Sequence, residues 1–169
     1  MALYQISITI DDVIEQLADF IQDFVGNTPI VRAQINRVPL PKPAAVVLTE
    51  LMQQDIAVSA GEFIGEDDEI AIHAQKLISV QIDFYGASAG DWCSAIRSVC
   101  RTGYAAGKFT NGISVLYCDD GIQSPLISGE QQWVQRWTLT ISLQYNPVIN
   151  VPQQFADELS INSTTQADS

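Results

Sequence analysis

The chain has 169 residues, of which 47% are hydrophobic and 17% charged. That length suits one compact core, and the composition excludes intrinsic disorder, which requires low hydrophobicity together with high charge. With 20 acidic residues against 8 basic ones the formal net charge is -12; a sequence-independent grip on phosphate backbones needs clustered Lys and Arg, so wrapping of duplex DNA is excluded as well.

The opening MALYQISITIDD has no basic n-region, no continuous apolar stretch and no small-residue cleavage site. No secretory signal is therefore expected, and the chain reads as intracellular when made. Thr9 followed by Asp12 has the layout of a capping box. Val13, Ile14, Leu17, Phe20, Ile21, Phe24 and Val25 then recur at helical spacing until Gly26 and Asn27, predicting a first helix. A strand is expected over about Ile30 to Val38. In VPLPKP the alternating Pro39, Pro41 and Pro43 impose an extended connector. For Ala44 to Met52 periodicity alone does not separate strand from short helix; the β-branched content leans towards strand.

GEDDE, from Gly65 to Glu69, reads as a charged turn. Beyond it Ile70, Ile72, Ala74, Ile78, Val80, Ile82 and Phe84 keep one parity while His73, Gln75, Ser79, Gln81 and Asp83 take the other, predicting one long half-buried strand. Ser88 and Asp91 repeat the cap spacing before a second helix, with Trp92, Ala95, Ile96, Val99 and Cys100 on one face and Gly103 at its end. A short strand over Ile113 to Tyr117 leads into CDDG, read as a turn. From Trp133 to Tyr145 the apolar Trp133, Trp137, Leu139, Ile141, Leu143 and Tyr145 alternate with Arg136, Thr138, Thr140, Ser142 and Gln144, as in a central antiparallel strand. The uncharged stretch from Trp137 to Ala156 approaches membrane-spanning length, but Pro147, Pro152 and its polar residues make it a strand and a loop. The expected class is α+β: a mainly antiparallel β-sheet with two packed helices, in a single domain over residues 1–159, followed by a polar, mobile tail over residues 160–169.

No catalytic constellation emerges. GYAAGK, from Gly103 to Lys108, has one residue too few for a phosphate loop and no following hydroxyl. Gly112, Ser114 and Leu116 imitate a nucleophile elbow without its second glycine. Cys93 and Cys100 lie about 10 Å apart along a helix, too far for a disulfide, and three scattered thiols with the lone His73 make a poor zinc set. Buried free thiols are expected. Asp119, Asp120 and Gly121 fit a tight turn better than a cation site. Glu66, Asp67 and Asp68 form with Glu69 either a solvated loop or a patch for a metal or a basic partner. Glu15, Asp19 and Asp23 recur along the first helix with no Lys or Arg between them, so each carboxylate repels the next. That stripe is either a solvated face or a surface that repels DNA or meets a basic partner. No cofactor or metal is expected.

VQIDFYG, GEQQWVQRWTLTISLQYNP and VPQQFADEL resemble the tailed-phage neck or tail terminator (tail-completion) proteins, best over Ile70 to Leu159. The resemblance implies a structural virion protein, not an enzyme. It implies a homo-oligomeric ring, six-fold, capping the tail tube and joined to head-completion, connector or collar proteins, with DNA only passing through and no membrane contact. It also implies assembly in the host bacterial cytoplasm and residence in the neck of the virion. On this reading Pro39, Pro41, Pro43, Glu66, Asp67 and Asp68 are interface candidates, and Glu15, Asp19 and Asp23 face a lumen or a partner. The alternatives are a small metal-dependent hydrolase built on Asp119, Asp120 and the Glu66 cluster, and a monomeric module presenting VPLPKP.

Overall fold

The computed structural model describes residues 4–33, 44–64, 69–124, 126–127 and 133–153. In chain order these form β1 (Gln5–Ile6), α1 (Ile10–Val25), β2 (Ile30–Arg32), β3 (Ala45–Asp55), β4 (Ala60–Ile64), β5 (Glu69–His73), β6 (Lys76–Tyr85), α2 (Ala89–Val99), α3 (Gly103–Lys108), β7 (Ser114–Cys118), β8 (Ile122–Gln123), β9 (Leu126–Ile127), β10 (Trp133–Val134), β11 (Arg136–Tyr145) and β12 (Val148–Pro152). The fold is α+β. The proline connector with Pro39, Pro41 and Pro43, the acidic Glu66, Asp67 and Asp68, and the tail over residues 160–169 all lie outside the described residues.

A six-stranded sheet has the order β2-β3-β6-β11-β7, with β8 also on β11, and a four-stranded sheet has the order β1-β12-β5-β4. All pairings are antiparallel except that of β2 with β3. The two sheets share their ribbons. β3 runs on into β4, β5 into β6 and β11 into β12; the register of β5–β6 against β11–β12 carries through the break, whereas between β3 and β4 residues 56–59 span the break opposite only Ala74 and Gln75. The run from Ile70 to Phe84 is thus not one strand but two, in different sheets. The cause lies across the ladder: Lys76 faces Tyr145 and His73 faces Val148, which sets Ala74 against Pro147. Ala74 N–H donates to the Pro147 carbonyl at 3.1 Å, but proline has no N–H to return the bond. The segment after Tyr145, expected as loop, resumes as β12 in the same register.

Val46, Leu48, Ile78, Val80, Ile82, Phe84, Leu139, Ile141 and Leu143 line the core, with α1 contributing Val13, Ile14, Leu17, Phe20, Ile21 and Val25. The capping box of α1 is present, with Asp12 Oδ2 accepting from Thr9 N at 2.7 Å and Asp12 N donating to Thr9 Oγ1 at 3.2 Å. Gly26 closes the helix at φ 60, a left-handed position that glycine takes without a Cβ penalty. Ser88, by contrast, makes no side-chain cap bond, because its backbone (φ -91, ψ 4) departs from the extended conformation a cap needs. α2 is also rotated from the expected face, burying Ala89, Cys93, Ile96 and Cys100 and leaving Ala95 exposed. GYAAGK forms a third helix, so its glycines do not form a phosphate-cradling loop.

Three further readings change. CDDG is not a turn: β7 and β8 both run antiparallel along β11, one pairing Cys118 with Ile141 and the other Ile122 with Thr138. Residues 119–121 therefore bulge within one irregular edge strand. A Cβ on Gly121 would collide with Cys93 Sγ of α2, so the glycine is there for a close approach. Trp133 does not share the buried parity of β11; it sits on β10, which pairs with β9 outside both larger sheets, and is 72% exposed. Finally, β6 is buried on both faces, since Ser79 and Asp83 are buried along with its apolar side chains.

Candidate assembly surface

Glu15, Asp19 and Asp23 are exposed along α1, as their spacing predicts. Asp19 and Asp23 border a groove of about 470 Å³, which Gln16, Phe20, Gln22, Lys108 and Thr110 also line. A second concavity of about 230 Å³ adjoins it, reaching Asp12, Glu15 and Asn111 and sharing Gln16 and Asp19. Gln16 Oε1 accepts from Thr110 N–H at 2.9 Å, tying α1 to the segment after α3.

The stripe is less repulsive than the sequence suggests. Asp23 is held by Lys108 Nζ at 2.5 Å and by the Tyr104 hydroxyl at 2.8 Å, both brought in by α3. Those hydrogen bonds, Lys108 first and Tyr104 second, hold the Asp23 carboxyl below its ordinary range. The Thr9 side chain and backbone do the same for Asp12. A lowered carboxyl pKa stabilises the folded state above the ordinary carboxylate range, and the contribution disappears as pH falls through and below it. Acidification from pH 7 to pH 3 is accordingly expected to lower the melting temperature less in Asp23→Asn than in wild type. Equal losses in the two proteins would show that the α1–α3 tie contributes nothing measurable.

Several charges elsewhere are matched. Arg32 bridges Asp11, at 2.5 Å, and Glu50; Lys76 meets Asp55 at 2.8 Å; Arg97 meets Asp120; His73 Nε2 lies 3.3 Å from Glu62. Among the described residues no cation lies within ion-pair distance of Glu15 or Asp19. Along α1, Glu15 and Asp19 thus carry charge that no described cation matches.

The thiols are free and buried. Burial, the leading cause, pushes Cys93 up to about 11, which leaves it protonated and unreactive at neutral pH. Cys118 is also raised, chiefly by the adjoining Cys100 and then by burial. Among the described residues no group of three or more His, Cys, Asp and Glu side chains is placed to hold a metal ion. No described helix is long and apolar enough to cross a membrane.

Two features were not found from the sequence. Asp83 on β6 and Arg136 on β11 form a buried ion pair on the sheet face away from the helices. A set of apolar side chains, including Leu51, Leu116 and Ile122 on the outer strands and Val58 between β3 and β4, is exposed. Exposed apolar strand residues carry the same one-dimensional pattern as buried ones, so no sequence signal separates them.

The sequence profile of a family described as phage neck terminator protein matches residues 12–168. The chain belongs to that family. The matched span takes in the acidic stripe of α1 and every described strand except β1. Membership in the neck terminator family makes the chain a structural protein of the bacteriophage neck, residing in the virion and contacting other phage tail or head proteins. No curated protein matches the chain.

Proposed function

We propose that the chain is the subunit of a homo-oligomeric, six-fold ring in the phage neck, assembled in the host cytoplasm. The ring caps the tail tube and joins it to head-completion, connector or collar proteins while DNA passes through. The observation that carries this reading is the neck terminator match over residues 12–168. The net charge of -12 and the unmatched charge at Glu15 and Asp19 support it, since an acidic surface lets a polyanion pass without adhering.

Like charges brought together around a ring repel, and salt screens them with a Debye length of about 10 Å at 0.1 M. With Glu15, Asp19 and Asp23 facing the lumen or a like-charged neighbour, raising salt is expected to favour the ring. A Glu15→Gln, Asp19→Asn, Asp23→Asn variant should then assemble at low salt almost as well as wild type does at high salt. Because Asp23 is already held by Lys108, most of the effect should reside in Glu15 and Asp19. Native mass spectrometry or light scattering across a salt series measures this. A chain that stays monomeric at every salt concentration, with tail-tube protein present, would remove the ring reading.

The connector with Pro39, Pro41 and Pro43 and the acidic Glu66, Asp67 and Asp68 are proposed as contacts with neighbouring subunits or neck proteins. A stiff, proline-set segment loses little freedom on contact. Changing all three prolines to Gly is expected to weaken assembly more than it lowers the melting temperature of the free subunit. The reverse ranking would mark the connector as a local structural element.

A further inference from the structure

Two outer strand edges are long and open among the described residues. On one side β2 covers β3 only from Val46 to Leu48, so that the backbone from Thr49 through β4 to Ile64 has no described strand on its outer side. On the opposite side β7 and β8 make the outer strand on β11, from Ser114 to Gln123. Open edges are usually protected by Lys or Pro against pairing with another chain. Neither stretch contains a Lys, Arg or Pro. Both instead expose apolar side chains: Leu51, Met52 and Val58 on the first, Leu116, Tyr117 and Ile122 on the second, with Val58 97% accessible.

Strand direction makes the two edges complementary. β3 is antiparallel to β6, β6 to β11, and β11 to both β7 and β8, so β7–β8 runs opposite to β3–β4. Two copies set side by side with their sheets in the same orientation would bring these edges together antiparallel, in the more stable ladder. Glu50 and Asp55 on the first edge are engaged by Arg32 and Lys76, His73 Nε2 lies 3.3 Å from Glu62, and Asp120 on the second edge is engaged by Arg97. In a chain of net charge -12, the ion pairs of Glu50, Asp55 and Asp120 reduce the like-charge repulsion between these edges.

We propose that the β7–β8 edge of one copy pairs antiparallel with the Thr49–Ile64 edge of the next. The two surfaces differ, so the contact is heterologous, and its repetition around an axis closes a ring. The inference rests on the ring reading above and names the join that makes it.

The test uses two double variants at exposed positions, Leu51→Lys with Val58→Lys, and Leu116→Lys with Ile122→Lys. Each should keep the wild-type circular dichroism spectrum. Each alone should be monomeric in native mass spectrometry at a concentration where wild type forms the ring, an association at least tenfold weaker. Mixed one to one, they should form a heterodimer and nothing larger, because each retains the one intact edge that the other needs. Should either double variant lose its fold, Val58→Lys and Ile122→Lys as single substitutions carry the same comparison. Rings from either variant alone, or homodimers through like edges, would overturn the edge assignment while leaving the ring intact. Monomeric wild type with tail-tube protein present would overturn the inference together with the ring reading.

Discussion

Arg136→Met is expected to lower the free energy of unfolding by about 3 kcal/mol, the range for breaking a buried ion pair from one side. Arg136 donates from Nε and Nη2 to Asp83 Oδ1 at 3.1 and 3.0 Å, Thr138 Oγ1 donates to the same oxygen at 2.7 Å, and Gln81 Nε2 donates to Oδ2 at 2.9 Å. The Asp83 side chain is 5% exposed and that of Arg136 26%. Removing the guanidinium leaves a carboxylate with two neutral donors and almost no water. The partial exposure of Arg136 keeps the expected loss at the lower end for such pairs. Asp83→Leu combined with Arg136→Met removes both charges and should recover most of the loss. Urea unfolding of the four proteins of this cycle measures the coupling; a loss below about 1 kcal/mol for Arg136→Met would show that water reaches the carboxylate.

Phe20→Ala should cost about 3 to 5 kcal/mol, through lost burial and the cavity left behind. Phe20 is 1% exposed, and its ring lies 5.3 Å from that of Phe24 and 5.4 Å from that of Phe109. Phe109 follows directly after α3, so the cavity would open where α1 holds that helix. Phe20→Leu, which retains most of the volume, should cost under about 1.5 kcal/mol. Denaturant midpoints on both variants check the ranking, and equal losses would show that the aromatic contacts, not the filled volume, carry the stability.

Legibility in the sequence follows the range of the determining interaction. α1 is readable because its cap, its apolar stripe and its terminal glycine are all local, and the interior of β11 because its alternation is uninterrupted. The split at Ala74 and Gln75 is unreadable locally, since the residue that causes it is Pro147, far along the chain between β11 and β12. β4 escaped because Ala60 and Gly61 carry no strand signal and the segment is held by its pairing with β5. α3 contains two glycines and packs on α1 through Phe24, Tyr104, Phe109 and Lys108, so tertiary contact overrides its poor helix propensity. At the candidate surface the acidic stripe was visible as a spacing. The cation that neutralises Asp23 was not, because Lys108 is near it only in three dimensions.

The unbroken register of β5–β6 against β11–β12 gives the molecule a separable dimension of reach. Residues added in matched, even numbers to β4, β5 and β12 at the end away from the helices would keep every existing side chain on its face and leave the helix-covered base unchanged. Each such residue would lengthen the ribbons by about 3.3 Å. An unmatched single insertion between Ala74 and Lys76 would instead turn one stretch of ribbon over relative to its partners. A variant carrying a longer ribbon pair on this base should fold with the base's own melting temperature.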